Sequence, residues 1–133
     1  MVNRMVAGGA SMIVAYWIVA GVLAVFYLYS GASKIVRSQE KLQPMMPWVD
    51  DMPLGFVRTI GVLEVLGAIG LILPPLTGIA PWLAFAAAIG LVLVQIGAII
   101  VHARRGEFRI LGLNIGLLVL AAVAVWLATA WLA

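Results

Sequence analysis

The chain has 133 residues, 65% of them hydrophobic and 10% charged, with a mean hydropathy of +1.19. A soluble domain of this length cannot hide so much apolar surface, which leaves a membrane protein of one domain. The net charge of +3 comes from residues beside apolar runs, where cytoplasmic retention and attraction to anionic lipid account for it and nucleic acid is not needed. The absence of cysteine excludes disulfides, thiolate metal sites and iron–sulfur ligation within the chain.

Four apolar runs follow in order, with predicted spans of about 12–34, 53–73, 79–101 and 110–132. Each reaches the roughly 20 residues that a helix needs to cross a hydrocarbon core of about 30 Å. Backbone groups in lipid must be satisfied internally and no polar alternation marks a barrel, so the expected fold is all-α, a membrane-spanning up-and-down four-helix bundle. The first run is membrane-length, longer than the apolar region of a cleaved signal peptide, and is kept as a span.

Between the first two spans, Lys34, Arg37 and Lys41 stand at helical spacing, which predicts that the first helix continues until Pro44 stops it. Asp50 and Asp51 before Pro53 are expected to cap the second span. Pro74 and Pro75 are expected to end that span sharply. The connector after the third span carries Arg104, Arg105 and Arg109, whereas the opposite side has only Arg4. The positive-inside rule therefore places both basic connectors in the cytoplasm and both termini outside. Trp17, Trp82, Trp126 and Trp131 fall toward the charge-poor side, where indoles favour the headgroup region.

Glu64 lies about 16 Å along the second span, near the bilayer midplane, where an acid costs about 2.5–3.5 kcal/mol unless it faces inward, is protonated or finds a partner. Its helix face includes Gly61, Gly67 and Ala68, small residues that let neighbouring helices approach closely. Arg58, Gln95 and Asn114 sit at a common depth of about 6–9 Å below the basic surface. Tyr27, Ser30, Gly31 and Lys34 share one face of the first span, and Gln95 and His102 share a face of the third. These stripes predict a polar pocket opening toward the cytoplasm, with Lys34 and His102 at its mouth and Glu64 at its floor. The simpler structural reading has Arg58 and Lys34 snorkelling, Gln95 and Asn114 joining helices, and His102 as a boundary residue. Gly112 and Gly116 match the small-residue packing motif. A single histidine excludes bis-histidine haem ligation, and no acid cluster has metal-ligand spacing.

The stretch from Tyr29 through Gly31 to Lys34, the proline-containing connector, and the Gly61 to Leu71 stretch with Glu64 and Gly67 resemble the DoxX-like family of small four-helix membrane proteins. The resemblance implies that Gly31, Lys34, Glu64 and Gly67 correspond to family features, in a multi-pass protein of a bacterial cytoplasmic (inner) membrane. It also implies an accessory role. Members are linked to membrane subunits of thiosulfate:quinone oxidoreductases, to oxidoreductase complexes handling sulfur or oxidative stress, and, in distant animal relatives, to receptor assembly. The expected function is thus a noncatalytic subunit or assembly partner with no intrinsic cofactor, holding quinone or lipid in the pocket and contacting other membrane proteins. The alternatives are a small proton-coupled transporter using Glu64 and an enzyme acting on a lipid-soluble substrate with Glu64 and His102 as proton-transfer groups.

Overall fold

A computed structural model of the chain describes residues 2–132, with side chains from residue 9 onward. Four long helices, α1 (Val2–Val36), α3 (Leu54–Thr77), α4 (Leu83–Arg104) and α5 (Phe108–Ala128), are joined by a short α2 (Gln39–Leu42) and a 3-10 turn over Pro47–Asp51. A second 3-10 turn covers Thr129–Trp131. All four long helices contain an apolar stretch long enough to cross a membrane. Each packs on its neighbour in sequence, and α5 closes the ring against α1.

The bundle is small inside and bulky outside. Ala20, Ala24, Ala68, Ala84, Ala88, Ala121 and Ala124 are buried along the axis, with Leu23, Leu71, Leu91 and Leu117 between them. Large aliphatic groups such as Ile18, Val25, Leu66, Leu93 and Val119 project outward. Hydrocarbon solvates those groups as well as a protein core does, so helix association relies on close packing through small residues. Gly31 and Gly61 show how close it is. A Cβ added at Gly31 would stand 2.7 Å from the Gly61 carbonyl oxygen, and one at Gly61 would stand 2.7 Å from that of Gly31. Gly67 and Gly70 do the same for α3 against α4, facing Leu91 and Ala87.

Three sequence expectations need correction. First, α1 ends at Val36 and does not run to Pro44. Ser38 takes an extended backbone and its hydroxyl accepts from the Lys41 N–H, so it starts the separate helix α2. Second, α3 continues through Pro74 and Pro75 to Thr77, and Gly78, at φ 73°, makes the left-handed cap. Pro75 has no N–H to give the Leu71 carbonyl one turn back. The buried Tyr16 hydroxyl donates to that carbonyl at 2.5 Å, replacing the missing bond from a different helix. Third, Asp50 and Asp51 lie in the 3-10 turn and do not cap α3, whose N-cap position is Pro53 with no side-chain bond.

Candidate functional site: a buried ion pair and two polar chains

The close crossing at Gly31 and Gly61 brings α1 and α3 together where each carries a charge one turn further on. Lys34 Nζ donates to Glu64 Oε1 at 2.9 Å and Oε2 at 3.1 Å, and to Ser30 Oγ at 2.6 Å. Its ammonium protons therefore all have acceptors. Lys34 is 5% and Glu64 4% exposed, so the charges are withdrawn from solvent together. Isolated burial of either charge would be prohibitive, whereas the paired and hydrogen-bonded form is tolerated. The Trp48 ring, from the connector, lies 5.8 Å from Lys34 Nζ and covers the ammonium with a π face.

Arg58 belongs to the same end but acts on backbone. Its Nη1 donates to the carbonyls of Lys34 and Arg37, both at 2.6 Å. The Lys34 carbonyl is among the last of α1 and the Arg37 carbonyl lies just past its end, where carbonyls lack partners within the helix and the negative end of its dipole lies. A guanidinium there ends α1 and fixes the segment bearing Lys34.

A second polar chain ties α1, α4 and α5. Tyr27 Oη donates to Gln95 Oε1 at 2.6 Å, Gln95 Nε2 to Asn114 Oδ1 at 2.5 Å, and Asn114 Nδ2 to the Ile110 carbonyl at 3.0 Å. A third group lies at the basic end. His102 Nδ1 is 3.2 Å from Glu107 Oε1, Arg105 Nε donates to the same oxygen at 2.9 Å, and Arg105 Nη1 also pairs with Asp51. Burial pushes the Glu107 carboxyl up, but hydrogen bonds and charge from His102 and Arg105 prevail and hold it below its ordinary value.

A model of the DoxX-like family matches residues 18–124. The chain belongs to the DoxX-like family. No curated protein and no solved structure matches it. The DoxX-like region contains Lys34, Glu64, Gln95, His102 and Asn114, whereas Tyr16 and Trp131 lie beyond its ends. With its four long apolar helices, this DoxX-like chain is a multi-pass membrane protein.

Within this DoxX-like bundle the expected pocket residues fall into separate groups. Lys34 and Glu64, expected at mouth and floor, touch each other, because the lysine stem reaches along the α1–α3 crossing. Tyr27, Gln95 and Asn114 meet, while His102 turns to Glu107 and Arg58 to the end of α1. Each of these side chains is held by a hydrogen bond within its own group. A concavity of about 710 Å³ lies elsewhere, on the connector surface, lined by Ser38, Gln39, Glu40, Gln43 and Asp50. Gly112 and Gly116 have no neighbour within 4 Å of an added Cβ, so they take no part in packing inside the bundle. Sequence reasoning missed Tyr16, Trp48, Asp51, Arg105 and Glu107. Only Tyr16 left a signal, since a helix carrying Pro75 needs an outside donor for Leu71.

Proposed function

We propose that this chain is a noncatalytic membrane subunit or assembly partner of an oxidoreductase complex, contacting quinone or lipid. It sits in a bacterial cytoplasmic membrane with its basic connectors in the cytoplasm and both termini outside. The observation that carries this reading is the mutual saturation of the buried polar groups. Lys34 is spent on Glu64 and Ser30, and Tyr27 on Gln95, so these groups build the bundle and no free nucleophile or base is left among them. The role implied by the family resemblance fits a chain whose redox chemistry comes from a partner.

Mild solubilisation followed by mass spectrometry of polypeptides and extracted lipids tests it. The expected result is a second polypeptide in fixed proportion together with quinone or phospholipid. Recovery of this chain alone, with neither partner nor quinone, overturns the reading.

A proton-coupled transporter using Glu64 is the second reading, supported by the burial of that acid within the membrane-length α3. Its weakness is the ammonium already on the carboxylate, which holds the charge without a transported proton. Proton-linked flux that survives Glu64→Gln ends it. An enzyme using Glu64 and His102 together has less support, because His102 bonds into the Glu107 group.

A further inference from the structure

The segment between α1 and α3 does more than connect. Leu42, Trp48 and Val49 turn their side chains down onto Val57 and Ile60 of α3 and Val101 of α4, and are 0%, 9% and 1% exposed. Trp48 also covers Lys34 of α1. Three helices thus meet under one short segment, directly over the Lys34–Glu64 pair. The far edge of the segment is held by charge, since Asp51 pairs with Arg105, which bonds Glu107, which in turn meets His102 at the end of α4. Its two ends are extended residues outside any helix, Ser38 at ψ 159° and Met52 at ψ 144°. Rotation at such positions moves a segment without breaking helical hydrogen bonds.

We propose that residues 38–53 form a hinged cover over the basic end of the bundle, latched by Asp51, Arg105 and Glu107. The cover must lift before water or a solute on that side reaches Lys34 and Glu64. The apolar underside sets the closed position, and the latch sets how often it opens. The asymmetry between the two contacts makes this division. The underside is a small buried cluster, whereas the Asp51 side chain is 59% exposed and the Arg105 side chain 26% exposed, so solvent ions compete for the pair. This inference concerns access and holds whichever partner the chain has.

Because the chain has no cysteine, one introduced thiol reports on one place. Val49→Cys puts a thiol on the underside of the cover, and Ser33→Cys puts one in the bundle beside Lys34, where Ser33 is 4% exposed. Labelling of the purified, detergent-solubilised full chain by a water-soluble maleimide is slow for both in the closed form. Adding Arg105→Ala is expected to raise both rates about threefold or more, the scale on which a partly exposed ion pair biases a local opening. Arg104→Ala, at an exposed neighbouring cation, leaves both rates unchanged. Asp51→Asn on each reporter, and 1 M KCl with the latch intact, give the same acceleration and decide the matter if Arg105→Ala does not fold. Rates that do not respond to the latch variants or to salt overturn the proposal. Acceleration of only one of the two reporters also overturns it, because the cover then moves without uncovering the pair, or the bundle opens without the cover.

Discussion

Lys34 of α1 and Glu64 of α3 are 30 positions apart in sequence and 2.9 Å apart in space, both almost wholly buried. The contact depends on glycine as much as on charge. Gly31 and Gly61 let the two backbones meet, and only then does the lysine reach the carboxylate. The pair therefore reports on the α1–α3 crossing.

Breaking the pair on one side leaves a charge buried and unpartnered, which costs about 3–5 kcal/mol, whereas replacing both partners with apolar groups of similar volume costs much less. Lys34→Met or Glu64→Met alone should lower thermal stability in detergent strongly, and the double variant Lys34→Met with Glu64→Met should recover most of it. Melting measurements on the three proteins decide this. A double variant as unstable as the sum of its parts would refute the coupling.

The glycines divide into two kinds. Gly61→Ala drives a Cβ to within 2.7 Å of a backbone oxygen on α1, an atom that cannot swing aside, so the helices must part and stability must fall. Gly112→Ala and Gly116→Ala meet nothing within 4 Å and should be neutral or stabilising, by up to about 1 kcal/mol each from helix propensity. Equal melting losses at Gly61 and Gly112 would contradict this.

Tyr16→Phe removes the donor to the Leu71 carbonyl and leaves that oxygen facing a proline ring with no partner. The expected cost is about 1–3 kcal/mol. If Pro75→Ala is introduced as well, the helix regains its own N–H and the loss should shrink. A Tyr16→Phe penalty that is the same with and without Pro75 counts against the substitution of one bond by the other.

Glu107 gives the molecule a pH dependence at its basic end. Its carboxyl is held below its ordinary value in the folded chain, so its contribution to stability is present above the ordinary carboxylate range and is lost as pH falls through the lowered value. The parent should melt above Glu107→Gln near neutral pH, and the gap should close on acidification. A gap that persists unchanged in acid would rule this out.

Much of the architecture was legible because lipid imposes one requirement on every span, so run length and charge position suffice to outline the helices. The inward-facing stripe of α3 could be read from Gly61, Glu64 and Ala68, since small residues and an acid share one face. The partner of Glu64 could not be read from spacing. Whether Lys34 ends in water or in the bundle depends on where α1 stops, and Ser38 rather than Pro44 decides that. The continuation of α3 through two prolines depends on a hydroxyl supplied by α1. The Asp51–Arg105 contact depends on two connectors meeting in space, for which no local pattern exists.

The backbone positions of Tyr16 and Lys34 lie about 27 Å apart along α1, and the side chains of both are fastened to α3. Two rivets set apart along a beam resist sliding and pivoting alike. The α1–α3 couple therefore behaves as a single stiff spar, against which α4, α5 and the segment over residues 38–53 are the parts left to shift.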